Sequence, residues 1–235
     1  MKTNSQILSA SIIALGLVLT GLGIRSGIVK FKQLDRIVSV KGLAEREVKA
    51  DKVIWPLTYK ELGNDPSEMY AILENKNSKV VAFLKSAGIK DAEISVNPPL
   101  ISDRQADNYG NEIMNYRYKA TSVITVTSSD VDRVRQLMRH TAELMKQGIA
   151  IVGGDYGDNT VSYEFTKLTS IKPAMVEEAT KNARSTAEKF ADDSNSKLGG
   201  IRTATQGQFS IEDRDANTPY IKKVRVVSTI EYTLE

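Results

Sequence analysis

The chain of 235 residues contains no cysteine. That absence excludes disulfides, zinc–thiolate and iron–sulfur sites, cysteine nucleophiles and a lipid-modified cysteine. Histidine occurs once, at His140. No second His or Cys stands ready to share a metal with it, and it reads as a solvated side chain on the polar side of a helix. A basic surface is missing as well. The formal charge of +3 arises near the N-terminus, where Lys2, Arg25, Lys30, Lys32 and Arg36 face Asp35 alone. The rest of the chain carries 27 basic and 28 acidic residues. The footprint of a nucleic-acid binder is therefore absent, and no nucleic-acid partner is expected.

Catalytic patterns are missing too. There is no G-x-S-x-G around a serine, so His140 has no nucleophile to serve. There is no phosphate-binding Gly-x-x-x-x-Gly-Lys loop, and Gly153-Gly154 lacks the further glycine of a dinucleotide fingerprint. Glu177-Glu178 and Asp192-Asp193 are adjacent on a helix and do not face each other, so they read as surface charges rather than an acid–base pair. Asp155, Asp158, Asn159 and Glu164 loosely suggest calcium, but their spacing does not fit an EF-hand and a turn is the plainer reading. No catalytic, cofactor-binding or metal residues are assigned, and an enzyme is not expected.

What the chain does contain begins with residues 7–24, ILSASIIALGLVLTGLGI, an uncharged and mostly apolar run. At about 1.5 Å per residue it spans ~27 Å, just enough for a bilayer core. It reads as an uncleaved transmembrane anchor, so membrane contact is expected through residues 7–24. The alternative is a signal peptide, for which Gly21-Leu22-Gly23 offers small residues at the cleavage spacing. The flanking charges, taken literally, would keep the C-terminal part cytoplasmic. Residues 1–35 form this anchor and tether, and residues 36–235 a single further domain.

Within that domain, residues 36–41 and 52–59 alternate like strands, with Pro56 pointing to an edge or a bulge. Asp65-Pro66-Ser67 opens a helix to about Ala87 with Met69, Ile72, Leu73, Val80, Phe83 and Leu84 as its stripe, and Gly88 stops it. Residues 116–127 read as a strand and 130–146 as one amphipathic helix ended by Gly148. A long helix from about Ile171 carries Val176, Ala179, Ala183, Ala187 and Phe190, with Pro173 in its first turn and Gly199-Gly200 as its stop. Residues 202–211 and 224–234 close the chain as strands.

This order repeats. Strand, helix, Gly-Ile, strand, polar loop and strand occur once over 53–127 and again over 161–234. The expected fold is α+β: two β-α-β-β units sharing one mostly antiparallel sheet with helices on one face, preceded by the transmembrane helix. The polar loops 103–112 and 212–219 are the best candidates for touching partners.

Several segments resemble the SIMPL-domain (DUF541) proteins of bacteria. They are Val38-Ser39-Val40-Lys41-Gly42 with Glu45, Ala50-Asp51, the late helix with Ala179, Ala183 and Ala187 followed by Lys197-Leu198-Gly199, and the closing strand. The likeness covers residues 36–235. The family's Gly-x-Gly and Pro-Asp-x-Ala are here Lys41-Gly42-Leu43 and Ala50-Asp51-Lys52-Val53. The resemblance implies an exported domain that self-associates as a homo-oligomer. It further implies a link to envelope or oxidative-stress protection and no catalytic residues to carry over; with the anchor read from residues 7–24, export places that anchor in the inner membrane and the domain in the periplasm. An exported binding module for a small apolar or peptide ligand is the alternative, which an apolar pocket between helix and sheet would favour.

Overall fold

A computed structural model describes residues 14–28, 36–106, 115–152 and 160–235. Residues 14–28 form a helix, α1. Among the described residues no helix is long and apolar enough to cross a membrane, and residues 7–13 of the apolar run lie outside them.

From residue 36 onward the fold is α+β. The elements are β1 (Ile37–Lys49), β2 (Lys52–Gly63), α2 (Pro66–Ser86), β3 (Ile94–Val96), β4 (Leu100–Asp103), β5 (Tyr118–Ser128), α3 (Val131–Met138), α4 (Ala142–Lys146), β6 (Ser162–Glu164), α5 (Leu168–Asp193), β7 (Leu198–Gln206), β8 (Ser210–Asp213) and β9 (Ile221–Leu234). The strands make two antiparallel sheets, not the single one the alternation suggested. One runs β1-β9-β7 with β8 also on β9; the other runs β3-β5-β2-β6 with β4 also on β5.

The chain divides into two compact units. The first comprises residues 1–46, 169–210 and 224–235, the second 47–168 and 211–223. The repeat is present, but the second copy does not use the leading strand that its sequence order offers. β6 has only three residues and joins β2 of the second unit through Lys52↔Glu164 to Ile54↔Ser162. The long strand beside β9 is β1, fixed by Leu234 N–H to the Arg36 carbonyl and Ala50 N–H to the Tyr220 carbonyl, both 2.9 Å. A three-residue strand cannot line a fourteen-residue one, so β1 takes the place expected for residues 161–168.

In the second unit Val53, Trp55, Leu57 and Tyr59 of β2 and Ala120, Ile124 and Val126 of β5 are buried on one side with Met69, Leu73, Val80 and Leu84 of α2. The two strands pair from Val53↔Ser128 to Gly63↔Tyr118. Pro56 sits between the short pairing with β6 and an isolated bridge from Thr58 to Val152, where its missing N–H leaves no ladder bond unmade. α2 starts as its residues dictate: Asp65 accepts from Ser67 N–H at 2.7 Å, Pro66 follows it, and Gly88 ends the helix at φ +86°.

Two helices differ from expectation. Residues 130–146 form α3 and α4, because Arg139 and His140 bond back to Gln136 and Leu137 and the Thr141 hydroxyl donates to the Met138 carbonyl at 3.0 Å. These tighter i→i−3 bonds break the helical ladder. α5 begins one turn earlier than expected, so Pro173 lies inside it. It ends at Asn195, φ +50°, with Ser196 N–H on the Ala191 carbonyl at 2.9 Å; Gly199-Gly200 belongs to β7 instead. Gly199 is needed there because a Cβ would lie 2.4 Å from the Thr233 hydroxyl.

Candidate functional site

The residues that the sequence singled out are scattered. His140 is exposed in the turn before α4, 3.8 Å from Glu143. Glu177 pairs with Lys181 at 2.6 Å, which holds its carboxyl below the usual carboxylate range, and Glu178 pairs with Arg46 at 3.1 Å. Asp192 and Asp193 are exposed at the end of α5. Glu164 pairs with Lys52 at 3.0 Å, while Gly153, Gly154, Asp155, Asp158 and Asn159 lie outside the described residues. Among the described residues no group of three or more His, Asp or Glu is arranged to hold a metal.

The two polar hairpins share a construction. Asp103 meets Arg117 at 2.7 Å across one, and Asp213 meets Lys222 across the other. Both follow an Ile-x-Asp-Arg-x-Ala pattern, at residues 101–106 and 211–216. In the second, Asp215 accepts from the Asn217 and Thr218 amides at 2.8 Å and pairs with Arg214. The Thr218 hydroxyl and then Arg214 bring its carboxyl down to about 2. Residues 107–112 of the first hairpin lie outside the described residues.

The concave feature was not anticipated residue by residue. A cleft of about 630 Å³ lies in the second unit between α2 and the β3–β4 edge, walled by Tyr70, Val81, Val96, Pro98 and Ile101. Its volume falls inside the ~300–1,000 Å³ typical of ligand sites. At its inner side stands Asn77. The Ser122 hydroxyl donates to Asn77 Oδ1 at 2.8 Å, and the Tyr59 hydroxyl lies 3.0 Å from both Asn77 Oδ1 and the Leu73 carbonyl. Burial pushes the Tyr59 hydroxyl up, with Ser122 pulling against it. Among the described residues Glu74 is the one ionisable side chain on the cleft wall other than the phenol of Tyr70.

The first unit shows what this arrangement replaces. The hydrogen bonds at the two ends of β1 and β9 share one register, which sets Gly42 opposite Ser228, just as Tyr59 stands opposite Ser122. A Cβ on Gly42 would lie 1.8 Å from the Ala179 carbonyl oxygen and 2.8 Å from the Ala183 Cβ. α5 therefore lies directly on β1, held also by Asn182 donating to the Leu43 carbonyl at 2.8 Å. Where the second unit has Tyr59 and Asn77 between helix and sheet, the first has Gly42 and Ala183, and the buried Ser228 hydroxyl has no partner among the described residues.

The signal for this difference was in the sequence. Asn77 interrupts the apolar stripe of α2 between Leu73 and Val80, whereas α5 keeps alanine at every fourth position. Comparison with curated proteins gives no match. The family described as SIMPL, protein of unknown function (DUF541), matches residues 38–231. With that match covering most of its length, and with the duplicated α+β fold set out above, the chain belongs to the SIMPL family.

Proposed function

We propose that the chain is a non-enzymatic, membrane-anchored extracytoplasmic protein that assembles with copies of itself, in the service of envelope or oxidative-stress protection. The observation that carries the assembly is β7. From Ile201 to Gln206 every residue of this edge strand is exposed, and it contains no proline. Ile201 is 56% exposed and Phe190 of α5, in the same unit, 57%. Open edges of this kind are templates for pairing with another chain unless proline, charge or a bulge protects them. The β3–β4 edge is interrupted instead: β3 pairs as Val96↔Ile124 and β4 as Leu100↔Thr121, so an extra residue and Pro98-Pro99 divide it into two short stretches with no continuous edge for a second sheet. β7 carries register shifts on both sides of Ile201 and a charge at Arg202, and it runs regular and uncharged from Thr203 to Gln206.

Support for the anchor comes from α1. Leu15, Leu17, Val18, Leu19, Leu22, Ile24 and Ile28 are all more than half exposed, and the Thr20 hydroxyl is bonded within the helix to the Gly16 carbonyl at 2.8 Å. A helix that satisfies its own polar groups suits an apolar medium.

The register designs the test. Gly207 N–H bonds to the Val227 carbonyl, so Thr203 and Thr205 face β9 while the Ala204 N–H points to the open edge. Native mass spectrometry of the full chain from detergent should show a discrete oligomer, and Ala204→Pro should reduce it to monomer with the fold intact. A wild-type monomer would sink the assembly. Protease added to spheroplasts should digest the domain while cytoplasmic proteins survive; equal protection of both would reverse the topology.

A further inference from the structure

A second surface, in the other unit, has the chemistry of a binding site. Asn77 is an awkward residue for the middle of a helix, since its side chain competes for backbone hydrogen bonds. Here its Oδ1 is held inward by Ser122 and Tyr59. That fixes the carboxamide and leaves Nδ2, which has no partner among the described residues, as the donor that Asn77 offers to the cleft. Any group it takes up must present an acceptor such as a carbonyl.

The opposite wall offers backbone. Asn97 N–H bonds to the Val123 carbonyl and Arg104 N–H to the Arg117 carbonyl, so alternate residues of β3 and β4 face β5. The residues between them, Val96 and Ile101, turn their N–H and C=O to the open edge. Both residues also line the cleft, with side chains 48% and 37% exposed. The wall is thus a short apolar strip with an unpaired donor and acceptor at each end, separated by two prolines that can donate nothing.

Among the described residues no Lys, Arg or His lines the cleft, and Glu74 is acidic, so phosphates and carboxylate-rich ligands are disfavoured. We propose that this cleft binds an extended, uncharged apolar peptide segment of another protein. The segment's backbone pairs with Val96 and Ile101, and one of its carbonyls accepts from Asn77 Nδ2. An extended chain is the ligand that alternates N–H, C=O and side chains at the spacing this wall presents, which is how edge-strand recognition works.

The test uses the full chain in lipid nanodiscs, with empty nanodiscs as control, and the peptide Gly-Val-Thr-Val-Thr-Val-amide, carrying fluorescein on its N-terminal amine, followed by anisotropy. Saturable binding is expected. Ser78→Trp, on the exposed surface of α2, should fill the cleft and abolish it. Val96→Pro removes an edge-facing N–H without touching the ladder to β5, and should weaken binding about tenfold, as should N-methylation of alternate peptide amides. Circular dichroism and thermal unfolding check that both variants fold. Absence of saturable binding, or binding indifferent to Ser78→Trp, overturns the proposal. Binding lost in Ser78→Trp but unaffected by Val96→Pro and by N-methylation overturns it equally, because the cleft would then be an apolar slot that ignores peptide backbone. The oligomer test bears on β7 alone, so either proposal can fail without the other.

Discussion

At the scale of single residues, two buried serines in matching positions are expected to behave oppositely. Ser122 donates to Asn77, whereas the Ser228 hydroxyl is buried with nothing to bond among the described residues. Ser122→Ala should cost about 1 kcal/mol, because Asn77 Oδ1 loses a donor it was positioned for. Ser228→Ala should be neutral or slightly stabilising, since it removes an unsatisfied polar group. Urea unfolding of the two variants decides the matter, and equal losses would count against the different helix packing described for the two units. Gly42→Ala should be the most damaging of these changes. The added Cβ meets backbone rather than a flexible side chain, and overpacking of that kind costs about 1–3 kcal/mol or more. Asp215 supplies a pH dependence. Its folded pKa is about 2, below the ordinary 3.8, so its contribution is complete above the ordinary value and is lost as pH falls toward the folded one. Amide exchange at Asn217 and Thr218, followed by NMR from neutral to acidic pH, should report loosening of the turn only in that acidic window.

At the scale of elements, the sequence was informative wherever local chemistry decides. Asp65, Pro66 and Gly88 bound α2 almost where they were expected to, and Asp65→Ala should cost about 1 kcal/mol in thermal unfolding through the lost cap. Met69, Leu73, Val80 and Leu84 were legible as the buried face, and the α2 stripe erred mainly at Ile72, which is 38% exposed. Phe190 misled for a different reason. It lies beside the alanine row of α5 in the 3.6-residue period, yet that row is narrow because alanine brings the helix too close to β1 for a phenyl ring to fit beneath. Gly199-Gly200 misled too, since glycine serves close strand contact as well as helix termination and Asn195 had already supplied the left-handed turn. Choice of strand partner was not legible at all. Residues 161–168 and 36–41 have similar alternation, and only the lengths realised in the fold, three residues against thirteen, show which of them reaches β9. The cleft escaped notice because a binary apolar pattern treats Tyr59 and Gly42 as equivalent positions.

At the scale of the whole molecule, the two copies of the repeat have diverged in their edges and in how closely helix packs on sheet. One copy exposes a regular strand edge, and the other has a proline-interrupted edge beside a cleft. Ala204→Pro and Ser78→Trp therefore address separate properties, and the double variant should show both losses with no further effect on folding. The pairing of β1 with β9 also has a consequence for how the chain is made. β1 leaves the ribosome long before its partner β9, and Arg36 waits for Leu234. Between the two events a thirteen-residue strand has no sheet to join. Translation at about 5–20 residues per second leaves it unprotected for roughly ten seconds or more. A chain interrupted before residue 221 would never close this sheet, however well the rest had folded. Premature termination should thus be more harmful to this protein than most single substitutions, and a chaperone that shelters extended segments would matter most during that interval.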